Sequence, residues 1–371
     1  MSRFLCNKFA GKEGYHLGEQ LKDQDFIKLN ANESPYPPSP KVMAAITKAH
    51  FDDQRLYADP HNTELVETIA QYCGVEKEQV LADGGSDVLL SYCLLAYGSE
   101  GDGFYFPDVT YNFYKTLCDT YSVIYREIPL KDDYSINIED YCACGHHVLI
   151  ANPNAPSGLV LTPKDVERIV GTNPGHIVII DEAYVDFDNE TSIPLTEKYD
   201  NLIVIQTLSK SRSLAGARVG FAISSKEVIS DLDTLKASFN PDSISNISQA
   251  AGCAAMKDID YMNSCTRKII QTRDSFAKEL KRRGFEVMES HTNFLFAKPL
   301  FMEAKAFYLE MKNKGVLIRH FDQPRTNDYV RITIGSQEQM KQVIERVEQI
   351  LAEMEEENVS DNQPVSCAAF G

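Results

Sequence analysis

The chain has 371 residues, 43% hydrophobic and 25% charged, with a formal net charge of −17. That length can bury a large core and admits two domains, and the acidic balance argues against nucleic acid or an anionic membrane as a partner. No stretch is apolar enough to span a bilayer and residues 1–18 show no secretory signal, so a cytoplasmic location is expected.

Residues 1–39 read as irregular, with a proline-rich extended run at 27–40, KLNANESPYPPSP within it. Ser39-Pro40 predicts a helix start, serine as N-cap and proline in the first turn. A second helix is expected from about Thr63 to Gly74, after the break at Tyr57-Ala58-Asp59-Pro60. Val80-Leu81 begins a short strand. It runs into Asp83-Gly84-Gly85-Ser86-Asp87, where two glycines and a capping serine would expose a helix N-terminus suited to a phosphate. Short strands follow near 103–107, 123–128 and 148–152, and Tyr111 precedes a helical stretch. The last of these strands opens into the turn Asn152-Pro153-Asn154-Ala155-Pro156-Ser157-Gly158, and Thr162-Pro163 starts another helix.

Two stretches carry more information. In 176–184 four apolar residues, Ile177 to Ile180, end directly in Asp181 and Glu182, and a carboxylate at the end of a buried strand is costly without a partner. In 201–221 the apolar run Leu202 to Ile205 leads to Ser209-Lys210, and Arg218 follows eight residues later. Strand–helix alternation over 40–250 indicates an α/β layer with a mostly parallel sheet, whose ligands bind at the carboxyl ends of the strands. No G-x-G-x-x-G occurs, which disfavours a dinucleotide site. After about residue 260 the pattern changes to a long helix, strands at 285–288, 293–297, 316–320 and 329–334, and a last helix over 337–357. Expected domains are 40–258, a smaller α+β domain of 259–357 joined by 1–39, and a tail without structure at 358–371. The nine cysteines are unpatterned, as reduced thiols would be. Cys142, Cys144, His146 and His147 match no common metal-ligand spacing, so no metal is expected.

A lone Ser-Lys pair is ordinary loop chemistry. Here a lysine, a strand-terminal aspartate, a glycine-serine helix start and an arginine fall at one sheet edge. A lysine can bond an aldehyde, an aspartate can pair with a protonated pyridine, and the rest can hold a phosphate, which together suit pyridoxal phosphate.

The stretches KLNANESPYPPSP, YADP, GGSD, FPDVTY, NPNAPSG, DEAYVDF, TLSKSRSLAGARVGF, GVLIRHF and VRITIG resemble the fold-type I pyridoxal-phosphate-dependent aminotransferases, most closely the histidinol-phosphate aminotransferases. The resemblance runs from about residue 15 to 350. It implies a large mostly parallel-sheet α/β domain with helices on both faces and a smaller α+β domain. It implies Lys210 as the Schiff-base lysine and proton carrier, Asp181 at the pyridine nitrogen, Tyr184 at the ring hydroxyl and Tyr111 against the ring. Ser86, Asp87, Ser209 and Arg218 would hold the phosphate. Tyr57 would reach the site of a second subunit in a homodimer. Arg319 and Arg331 would bind substrate anions, with Tyr15 and Asn32 nearby. The pattern departs at Ala155, where the family has asparagine, and Asn154 is expected to substitute. The implied reaction moves the amino group of histidinol phosphate to 2-oxoglutarate. An aromatic aminotransferase, a threonine-phosphate decarboxylase and, in another class, a non-catalytic regulator are the competing readings.

Overall fold

The computed structural model describes residues 2–9, 14, 19, 26–47, 51–99 and 101–361. Tyr15 and residues 362–371 of the expected tail lie outside them. The strands, in chain order, are β1 (Ile27–Lys28), β2 (Val80–Asp83), β3 (Phe104–Pro107), β4 (Tyr125–Ile128), β5 (His147–Ala151), β6 (Val178–Asp181), β7 (Leu202–Thr207), β8 (Gly220–Ile223), β9 (Phe285–Val287), β10 (Phe294–Pro299), β11 (Val316–Leu317), β12 (Arg319–His320) and β13 (Val330–Thr333). The helices are α1 (Pro40–Ala45), α2 (Thr63–Cys73), α3 (Ser86–Tyr97), α4 (Phe113–Tyr121), α5 (Pro163–Thr172), α6 (Lys226–Phe239), α7 (Asn246–Lys257), α8 (Ile259–Arg282), α9 (Ala304–Asn313) and α10 (Gln337–Asp361).

Seven strands form the large sheet in the order β2-β8-β7-β6-β5-β3-β4. Strands β7, β6, β5, β3 and β4 pair in parallel, whereas β8 pairs antiparallel with both β7 and β2. Both faces are covered, so the central strands are apolar throughout rather than alternating. Val178, Ile180, Leu202 and Val204 pack against α2, α5 and α7 on one face. Ile179, Ile203 and Ile205 pack against α3, α4 and α6 on the other. Each such side chain, removed from water, contributes about 1.5–3 kcal/mol.

A separate four-stranded antiparallel sheet has the order β12-β13-β10-β9. Its core joins residues of α8, α9 and α10 to Leu29. The stretch expected as one strand at 316–320 is two. Val316-Leu317 pairs in parallel with β1, while Arg319-His320 pairs antiparallel with β13. The chain changes sheets at Ile318, which is buried between them.

The helix starts follow local chemistry. Ser39 caps α1 by accepting from Lys41 N, and Thr162 caps α5 with Asp165 completing a capping box. At α3 the N-cap is Gly85, at φ +102, and Ser86 is the first helical residue rather than the expected cap. α10 reaches Asp361 and so takes in the first four residues of the tail expected to lack structure.

Candidate active site

At the carboxyl edge of the large sheet, the loops after β2, β5, β6 and β7 open on a cavity of about 280 Å³. Arg319 and Arg331 of the small sheet close its other side. Of the residues singled out in the sequence, Asn32, Ser86, Asp87, Tyr111, Asp181, Tyr184, Ser209, Lys210, Arg218, Arg319 and Arg331 all line it. Ala155 lines it too, but Asn154 does not. Asn154 Nδ2 donates to Val109 O and to Ser157 Oγ, both at 2.9 Å, and its Oδ1 accepts from the Thr110 hydroxyl at 2.8 Å. Its side-chain amide is therefore engaged by Val109, Thr110 and Ser157, outside the cavity that Ala155 lines. Tyr57 is 88% exposed and lies away from this cavity.

Asp181 ends β6 and is 4% exposed. Its Oδ2 accepts from the Tyr114 hydroxyl at 2.7 Å and its Oδ1 from Ala183 N at 3.2 Å. Burial pushes its carboxyl up to about 6, opposed by the Tyr114 hydrogen bond, while Asp87 adds to the rise. Burial also drives the Tyr114 hydroxyl far above its ordinary range, so it remains a donor to Asp181. Tyr114 was not among the residues singled out in the sequence. Its one signal was its place three residues after Tyr111, inside the helical stretch that Tyr111 precedes. The two rings meet edge to face at 5.5 Å.

Lys210 lies three residues past the end of β7, with its Nζ 3.4 Å from Ala31 O and 5.9 Å from the Tyr184 ring centroid. The Tyr184 hydroxyl accepts from Asn32 Nδ2 at 2.8 Å, which leaves its own proton to donate. Asn32 is buried in the left-handed region at φ 56, with its N–H donating to Thr333 Oγ1 at 3.0 Å and its Oδ1 accepting from the same hydroxyl at 3.1 Å. Asn32 thus ties Tyr184 to the small sheet.

The α3 N-terminus forms a cradle made by missing side chains. A Cβ on Gly85 would stand 2.7 Å from Arg218 Nη2, and one on Gly220 would stand 2.5 Å from Ser86 N. Arg218 Nη2 pairs with Asp87 Oδ2 at 3.2 Å, and the Tyr111 hydroxyl donates to Asp87 Oδ1 at 3.2 Å. Thr207 Oγ1 lies 3.0 Å from Ser209 Oγ and accepts from Ser209 N at 3.2 Å. Free N–H groups, hydroxyls and a guanidinium at one helix N-terminus suit a phosphate.

Across the cavity, Arg319 and Arg331 stand directly opposite each other on β12 and β13. Each guanidinium lies 5.5 Å from the centroid of the Phe321 ring, and Arg331 Nη2 donates to Asn30 O at 3.1 Å. Glu19 lies close enough to Arg319 for that charge to help hold its carboxyl below the ordinary range, though Lys312 is the larger cause. Asn30, Glu33 and Phe321 line the cavity without having been singled out. Asn30 and Glu33 sit inside KLNANESP, where nothing distinguishes them from connector residues.

A buried acid, a cavity-facing lysine and a phosphate cradle fit pyridoxal phosphate, and the two arginines suit an anionic substrate. The sequence profile described as Aminotransferase class I and II matches residues 24–347. The histidinol-phosphate aminotransferase of Brachyspira hyodysenteriae is 44% identical over 352 residues, 95% of this chain and 99% of that protein. That of Clostridium botulinum is 42% identical over 351 residues, again 95% and 99%. Among solved structures, the histidinol-phosphate aminotransferase of Sinorhizobium meliloti in complex with pyridoxal-5'-phosphate superposes with a TM-score of 0.79 at 25% identity, covering 87% of this chain and 91% of that one. The L-threonine-O-3-phosphate decarboxylase of Porphyromonas gingivalis shares the fold at a TM-score of 0.76 and 19% identity, covering 88% and 99%. The chain belongs to the aminotransferase class I and II family and is a pyridoxal-phosphate-dependent transaminase.

Proposed function

We propose that the chain transfers the amino group of histidinol phosphate to 2-oxoglutarate, giving imidazole acetol phosphate and glutamate, the transamination of histidine biosynthesis. The observation that carries the reading is that Lys210, Asp181, Arg319 and Arg331 line one cavity. The relatives at 42–44% identity over 95% of the chain support the choice of substrate. A guanidinium binds a phosphate or a carboxylate through the same fork of donors, so one pair of arginines serves both substrates.

In this reading Ser209, Arg218 and the N–H groups of Ser86 and Asp87 at the α3 N-terminus would hold the cofactor phosphate, Tyr111 would lie against the ring, and Lys210 would be the amine that holds the aldehyde in the resting enzyme. Bound there, pyridoxal phosphate supplies an electron sink that makes the substrate Cα–H acidic. Asp181 would provide the negative charge that keeps the ring nitrogen protonated. Tyr184, its oxygen already accepting from Asn32, donates its proton into the cavity. Once the substrate amine has displaced it from the aldehyde carbon, the freed Lys210 Nζ would remove and carry the Cα proton. Arg319 and Arg331 hold the substrate anions so that Cα faces that amine.

The reading includes a cytoplasmic homodimer. The Arg218 side chain is 51% exposed although it lines the cavity, so the phosphate end opens to the surface in a single chain. Tyr57, with Phe51 and Leu56 also exposed, is proposed to close that end in a second copy. Leu29 packing into the core of α8 to α10 supports a small domain of 1–39 and 259–357 beside a large one of 40–258.

The test is single-turnover bleaching of the cofactor band by histidinol phosphate, phenylalanine and threonine phosphate. Histidinol phosphate should exceed the others by at least tenfold in rate over dissociation constant. Preference for phenylalanine, or release of CO2 from threonine phosphate, would sink the assignment.

A further inference from the structure

Arg325 lies on the 321–329 loop between β12 and β13, the strands that carry Arg319 and Arg331, and it is not part of the central cavity wall. Its side chain reaches across to the large sheet. Nη1 donates to Asp108 Oδ2 at 2.9 Å and Nη2 to Lys131 O at 2.7 Å. The Tyr134 hydroxyl donates back to Arg325 O, and the guanidinium lies 5.1 Å from the Tyr134 ring centroid. Asp108 is fixed in turn, its Oδ1 accepting from Leu130 N at 2.9 Å. Nearby, Asn112 Nδ2 donates to Gln323 Oε1 at 3.0 Å.

An isolated surface ion pair holds little. This one differs in two respects. The fork spans two partners on separate elements, and both Arg325 (φ 67) and Tyr134 (φ 64) sit in the left-handed region that such residues avoid. Residues stay there only where their surroundings over-determine them, and such sites cluster at functional positions. The large-sheet anchor is informative as well. Asp108 and Asn112 flank Tyr111, which lines the same cavity as the two arginines but comes from the large-sheet side.

We propose that Arg325 is a positioning residue. It fixes the 321–329 loop to the segment presenting Tyr111, and so sets the span between that wall and the Arg319–Arg331 pair. It controls affinity for the anionic ends of the substrates without touching them. The proposal rests on the reading that Arg331 and Arg319 take those anions.

The experiment is spectral titration of the holoenzyme with glutamate for wild type, R325A, R325K, D108N and R331A. R325A should weaken glutamate at least tenfold, with kcat changed less than threefold and bound cofactor, absorbance maximum and borohydride-fixed adduct unchanged. R325K should fall between, because an ammonium reaches Asp108 without the fork. Glutamate affinity within twofold of wild type in R325A overturns the proposal, and so does an equal loss of bound cofactor, which marks a general structural role. Should R325A fail to fold, D108N carries the test, with an expected three- to tenfold loss and the same overturning result. Normal glutamate binding in R331A would bring down the anion assignment, whereas loss in R331A with none in R325A brings down the positioning role alone.

Discussion

Replacing Asp181 by asparagine should stabilise the cofactor-free protein while damaging the enzyme. Asp181 is 4% exposed, and burial raises its carboxyl from 3.8 to about 6. Between those values the folded chain holds a proton that the unfolded chain has released, so stability falls as pH rises through this window. At about 1.4 kcal/mol for each tenfold change in acid constant, the charged carboxylate costs roughly 3 kcal/mol at pH 8. Asparagine carries no charge and can keep both contacts, with Oδ1 toward Ala183 N and Nδ2 toward the Tyr114 hydroxyl oxygen.

Urea unfolding of cofactor-stripped wild type and D181N at pH 8 and pH 4 reads the effect. The variant should gain about 2–3 kcal/mol at pH 8 and well under 1 kcal/mol at pH 4, where the folded wild type is already protonated. With cofactor bound, the same variant should lose turnover by orders of magnitude, because nothing then holds the ring nitrogen protonated. A gain of equal size at both pH values, or none at pH 8, would refute the reasoning about burial.

Lys210→Ala should abolish the borohydride-reducible bond to the cofactor, and an unchanged adduct in mass spectrometry would remove Lys210 from its role. Arg331→Ala should raise KM for glutamate by about 10- to 150-fold, the equivalent of the 1.5–3 kcal/mol of a charged hydrogen bond, with kcat less affected. Gly220→Ala would put a methyl 2.5 Å from Ser86 N, so dialysis should strip cofactor from this variant at least tenfold more readily than from wild type. Asn32→Gly should keep the φ 56 backbone unstrained while removing the bond to Tyr184, and the expected loss of about 1–3 kcal/mol of transition-state stabilisation reads as a fall in kcat/KM.

The strand-end chemistry was legible because the central strands are covered on both faces. Val178 to Ile180 and Leu202 to Ile205 read as unbroken apolar runs, and each run stops at the residues that line the cavity. What escaped depends on pairings far apart in the chain. The four apolar residues of β8 carry no mark of their reversed direction, which is set by their neighbours β7 and β2. The division of 316–320 at Ile318 follows from two partners, β1 and β13, that lie in separate sheets. Tyr114 shows its helical phase but not that this phase carries its hydroxyl to Asp181. The turn motif offered Asn154 beside Ala155, yet the fold of the turn directs that amide to Val109 and Ser157.

The register that sets Arg319 opposite Arg331 has a thermodynamic consequence. Like charges directly across an antiparallel pair are destabilising, and here they fall on a strand of two residues at the sheet edge. An anion held by both arginines removes that repulsion, so its binding and the pairing of β12 are linked and each strengthens the other. The amino donor and the oxo acid both carry negative ends in the proposed reaction. If the substrates bind there as proposed, each would act as a counter-ion for that sheet edge, and the edge would be firmest while the enzyme is at work.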